Sequence, residues 1–116
     1  MAGAVHIPWY ATGFRGDKLE AAVAEVAPIA LRYGATSYSV FRGRDDRYKI
    51  LQIAEFETKA DWEAYWNGPE MIRFRTICQS WYQVPVVYAW QDVVTRGELK
   101  PQVETDLAAD KPNVPA

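Results

Sequence analysis

The stretch Glu55-Phe-Glu-Thr-Lys-Ala-Asp-Trp-Glu-Ala-Tyr-Trp-Asn-Gly-Pro69 constrains this chain more than any other. It leaves an apolar strand, enters a helix at a cap and ends that helix within three turns. Thr58 is a good N-cap, and Asp61 three residues on makes an acidic variant of the capping box. Trp62, Tyr65 and Trp66 then share one helical face. Asn67-Gly68 stops the helix, and Pro69 suits the first position of the next one.

On either side the periodicity alternates between strand and helix. Residues 2–12 predict a strand in which Pro8, lacking an N–H, must face an edge or a bulge. Asp17 predicts a cap for a helix over 18–33 that buries Leu19, Ala22, Val23, Val26 and Ile29, bends at Pro28 and stops at Gly34. Strands follow over 35–42 and 48–56, joined by a mixed-sign, solvated hairpin from Arg42 to Arg47. The strand 48–56 carries apolar residues on both faces, which suits a central position. Helices over 59–66 and 69–81 come next, the second burying Met71, Phe74 and Cys78, and then a strand over 84–94. The order β-α-β-β-α-β defines the ferredoxin-like α+β class, a four-stranded antiparallel sheet with helices on one face. The expected domain is residues 1–97, with 98–116 as a flexible tail.

At 116 residues the chain holds one core. A formal net charge of −2 argues against nucleic acid or an anionic membrane as partner. One cysteine excludes an internal disulfide and, with no secretory leader, suggests a reducing, cytoplasmic setting. The other sheet face would carry a large apolar set, so a homodimer closing two sheets into a barrel is expected.

Tyr38-Ser-Val-Phe-Arg42, the run Ile50–Trp62 and Trp66-Asn-Gly-Pro69 resemble the dimeric α+β barrel superfamily. Within it, the likeness is to the antibiotic-biosynthesis-monooxygenase group, with its cofactorless quinone-forming monooxygenases and small haem-degrading enzymes. The resemblance implies a monooxygenase acting without cofactor or metal on a phenol- or hydroquinone-like aromatic. Phe56 stands where the group has Trp at the strand end, and Gln52 near its strand amide. Phe74 stands where haem-degrading members carry the ligating His, which removes that ligand.

The candidate site residues are Gln52 and Tyr38 as polar contacts and Arg75 as counter-charge to a bound anion. Trp62, Trp66, Phe56, Phe74, Tyr88 and Trp90 are the candidate walls, with Tyr38, Tyr88 and Trp90 assigned to the inner barrel face. Each ring has a plainer role in core or interface packing, and Gln52 a plainer one as acceptor for a buried indole N–H. His6 could be a base, but reads first as an ordinary strand residue, and Cys78 as core. A cyclase or isomerase would need His6 or Glu55 inside the pocket. A non-catalytic binding dimer is the alternative from another class.

Overall fold

The computed structural model describes residues 2–100. Four strands, β1 (Gly3–Tyr10), β2 (Ala35–Arg42), β3 (Lys49–Phe56) and β4 (Ala89–Asp92), form one sheet in the order β2-β3-β1-β4 with antiparallel neighbours throughout. Helices α1 (Gly16–Val26), α2 (Lys59–Trp66) and α3 (Pro69–Ile77) complete the ferredoxin-like α+β fold.

Alternation fixes which side of the sheet the core takes. Val5, Ile7 and Trp9 on β1 and Ile50, Gln52, Ala54 and Phe56 on β3 are buried under the helices. Their alternates (His6 and Pro8, Leu51 and Ile53) lie on the opposite, open face, which His6 shares with Ile53 directly across the ladder.

Local chemistry explains most element boundaries. The Thr58 hydroxyl accepts from the Asp61 N–H at 3.1 Å, as an N-cap does, and Pro69 opens α3. Gly34 ends its segment with φ 102°, a conformation that suits glycine. In β1 the Tyr10 carbonyl accepts from Gln83 on one side while the Ala11 N–H turns to Tyr48 on the other. Pro8, two residues before Tyr10, therefore directs its missing donor to the β4 side, beyond the last β1–β4 pair at His6 and Ala89.

Four expectations are corrected. Pro28 ends α1 instead of bending it, and the chain continues as a 3-10 turn over Pro28–Tyr33. Asp17 caps nothing: Arg15 holds the N-cap position without a side-chain bond, and Asp17 instead pairs with Arg42 at 3.1 Å. Arg42 also reaches Glu20 at 2.7 Å, so it leaves the solvated hairpin group. Helix α3 stops at Ile77, with a 3-10 turn at Gln79–Trp81.

The fourth strand is much shorter than 84–94. Tyr82 and Gln83 bind the end of β1, and the ladder resumes only at Ala89. Between these anchors the chain uses more residues than β1 does, so Val84–Tyr88 loop out, and Pro85 has no donor for a ladder. Residues 93–100 have no regular secondary structure, and Arg96 pairs with Glu55 at 2.6 Å. Of the tail expected over 98–116, residues 101–116 lie outside the described residues.

Candidate functional site

Gln52, the expected polar contact for a ligand, is fully buried with partners of its own. Its Oε1 accepts from the Trp9 indole N–H at 3.0 Å, and its Nε2 donates to the Tyr65 hydroxyl at 3.0 Å. Tyr65 in turn donates to the Val26 carbonyl at 2.6 Å. That carbonyl is available because Pro28 tightened the chain: the Ala30 N–H goes to Ala27 at 3.1 Å, not to Val26 as in an unbroken helix. Burial pushes the Tyr65 phenol up to about 12, so it stays neutral and is no base at ordinary pH.

Rings fill the slot between α2 and the sheet. Trp62 packs against Phe56, Tyr65, Trp66 and Tyr88, with centroids 5.1–6.3 Å apart. Trp9 lies between Trp66 at 6.0 Å, Phe74 at 5.2 Å and Tyr82 at 4.9 Å. Tyr88 and Trp90 were expected on the inner barrel face. Trp90 instead pairs with the helix-side Val5 and packs over Gly3, where a side chain would collide with it, and Tyr88 covers Trp62 and Trp66. Tyr38 pairs with the helix-side Ala54, at the exposed β2 edge. These three therefore leave the open face to Ser37, Ser39 and Phe41 of β2 with Leu51 and Ile53 of β3. His6 and Glu55 are on that face too, away from the helix side.

A separate cavity lies elsewhere, between the helices. Helices α1 and α3 diverge over a groove of about 630 Å³, which falls in the range of small-molecule pockets. Ala22, Val26 and Ile29 form one wall, and Phe74, Ile77 and Trp81 the other. The small Ala22 leaves room that a longer side chain would fill. Phe74, the one expected wall residue that lines the groove, packs edge-on against Trp9, so the Trp9–Gln52–Tyr65 network stands directly behind its floor. Glu25, Glu70 and Arg73 bring the charge. Glu70 accepts from the Tyr33 hydroxyl at 2.6 Å, a bond that holds its carboxyl below the usual range. The Glu25 carboxylate has no hydrogen bond or ion pair among the described residues, and Arg73 is exposed.

Cys78 is buried at this groove, and burial raises its thiol pKa, so it is a packing residue and a poor nucleophile. Arg75 is on the other side of α3. Glu70, Arg73, Phe74 and Ile77 share the groove face at helical spacing, whereas Ile72, Arg75, Thr76 and Gln79 share the opposite face. Among the described residues no three His, Cys, Asp or Glu side chains gather as metal ligands, and no helix is long and apolar enough to cross a membrane.

A sheet ordered β2-β3-β1-β4 with helices on one face and a groove between α1 and α3 places the chain in the ferredoxin-like α+β class. Solved structures narrow this to one group of folds. Rv0793 from Mycobacterium tuberculosis superposes with a TM-score of 0.74 at 12% identity, covering 84% of this chain and 100% of its own. A protein solved as an antibiotic biosynthesis monooxygenase gives 0.70 at 12% identity, covering 82% and 100%. PA3566 from Pseudomonas aeruginosa gives 0.73 at 16%, covering 81% and 95%. The chain therefore has the fold of the antibiotic biosynthesis monooxygenase-like proteins. Identities this low carry the fold and leave the chemistry to the site. No protein-family model matches the sequence, and neither does any curated protein.

Proposed function

We propose that this protein is a cofactor-independent monooxygenase-like enzyme that takes a small phenol- or hydroquinone-like aromatic into the α1–α3 groove. The observation that carries the reading is the groove itself: about 630 Å³, apolar-walled, with the Phe74 and Trp81 rings along one side. Flat ligands stack on such rings. Arg73 at the groove provides positive charge for a bound phenolate, and Glu25 a carboxylate not engaged elsewhere among the described residues, suited to take the proton.

For an anthrone-type substrate the balance is complete without another reductant. The anion attacks O₂, one oxygen atom stays on the former methylene carbon as a carbonyl, and the other leaves as water with both methylene hydrogens. The substrate carbon supplies all the electrons. The protein contributes confinement, deprotonation and stabilisation of the anion.

A homodimer belongs to the same reading. The open sheet face carries Phe41 beside Leu51, and Ile53 and Ala89 on either side of His6, a largely apolar patch that a second copy would cover. Expected behaviour is a dimer in sedimentation velocity, converted to monomer by Ile53→Asp.

The deciding experiment is oxygen uptake by chelator-treated protein with a panel of anthrones and hydroquinones. Protein-dependent uptake that falls with Arg73→Gln or Glu25→Gln supports the enzyme. The second reading is a binding protein without turnover, favoured by the closure of Gln52 and Tyr65 on protein partners. It predicts ligand-dependent quenching of tryptophan emission with no uptake on folded protein.

A further inference from the structure

We propose that Arg75 forms a second ligand site, for a small organic carboxylate, on the face of α3 turned away from the groove. The site is a concavity of about 360 Å³ lined by Ile72, Arg75, Thr76, Gln79, Tyr82 and Val84. It stands apart from the groove and requires no reaction there.

The argument begins with a charge that lacks a counter-charge. Arg75 is half-buried, and its guanidinium carbon sits 3.9 Å above the centre of the Trp66 ring. That stacking removes water from one side of the cation and returns part of the lost stabilisation through the ring. One N–H donates to the Trp66 carbonyl at 2.9 Å, and the others have no hydrogen-bond partner among the described residues. No carboxylate among those residues pairs with Arg75, whereas Arg42 pairs with both Asp17 and Glu20, and Arg96 with Glu55. Burial lowers the Arg75 pKa, the direction expected of a cation short of compensation.

The chemistry of the gap selects the ligand. A guanidinium presents its donors in one planar fork, and a carboxylate accepts such a pair bidentately. One positive charge matches one negative charge. A phosphate dianion would need a second cation, and the nearest on this helix, Arg73, belongs to the opposite face. Beside the fork, Ile72 and Val84, 47% and 66% exposed among the described residues, provide apolar surface for the body of the acid. The fitting class is therefore a monocarboxylate on a small apolar or aromatic body.

Benzoate titrated into the full chain tests this, read by tryptophan emission and by two-dimensional NMR of the Arg75 Nε–H and Trp66 indole N–H. The expected result is saturable one-to-one binding with both signals shifting. Arg75→Gln weakens it at least tenfold, while Arg44→Gln on the hairpin leaves it within twofold. Benzamide and phenyl phosphate bind at least tenfold more weakly than benzoate. The proposal is overturned if benzamide or phenyl phosphate matches benzoate, or if a folded Arg75→Gln binds as the wild type does. Should that variant not fold, wild-type spectra still decide: shifts confined to Phe74 and Ile77 amides, or none at Arg75 and Trp66, overturn it.

Discussion

Gln52 and Arg75 are both polar side chains set among rings, and their surroundings are opposite. Gln52 sits between the sheet and the helices with its carbonyl and amide both engaged, in a chain running from Trp9 to the Val26 carbonyl. Arg75 sits on the outside of α3 with one bond made and a concavity in front of it. A buried polar group whose partners are all protein holds the fold together, and replacing it costs stability. A half-buried one with donors to spare is available to something else. Residue type alone does not separate the two roles, because what decides them is whether the bonds are already used.

Substitutions at the interior network and on α3 pull these roles apart. Trp9→Ala carries the largest expected effect, a loss of about 3–5 kcal/mol in chemical denaturation, because a fully buried indole leaves both a cavity and an unpaired Gln52. A loss below about 1 kcal/mol would mean that the network is not what holds the two layers.

Next comes alkaline unfolding. The Tyr65 pKa is raised to about 12 in the folded state, against 10.0 for the free phenol. Its contribution is therefore whole below pH 10 and is lost as pH rises towards 12, about 3 kcal/mol over that window. Tyr65→Phe will lack this part of the pH dependence, and identical alkaline profiles for the two proteins would refute the assignment.

Gln52→Leu should cost about 2 kcal/mol by stranding the Trp9 N–H, with groove affinity within twofold of wild type. Affinity that collapses while stability holds would erase the distinction between Gln52 and Arg75. At the groove the balance reverses: Ile77→Glu, at an exposed position, should weaken an apolar ligand about tenfold and change stability by less than about 0.5 kcal/mol. Thr58→Ala is the smallest expected effect, about 1 kcal/mol of stability through the lost cap bond and no change in binding.

What the sequence made legible follows the range of the forces involved. The Thr58 cap, the Gly34 stop and the Pro69 start depend on side chains acting on backbone within a few residues, and each is where local chemistry puts it. The faces of β3 and α3 follow from period alone. Pro28 was visible as a disturbance, but whether a helix bends or tightens to 3-10 depends on what receives the freed carbonyls, and here Tyr65 does so from 39 residues away. Gln52 was readable as an indole acceptor. The indole is Trp9, 43 residues back, because strand pairing and not helix spacing brings them together. The groove was the least legible element, since a void depends on Ala22 and Phe74 failing to meet, and no pattern in either helix encodes that by itself.

The bonds from Trp9 to Gln52 to Tyr65 to Val26 join four segments that are far apart in the chain: β1, β3, α2 and the end of α1. None of these can separate from the sheet alone without exposing an unpaired polar group, so they should open together as one cooperative unit. Amide protons of β1 and β3 will then exchange with solvent only at the rate set by global unfolding. The loop Val84–Tyr88 has no share in that network, and β4 adds only a four-residue edge. Exchange there will be faster by orders of magnitude, which makes this edge the place where the molecule breathes and where the Trp62–Trp66 pair beneath Tyr88 is briefly uncovered.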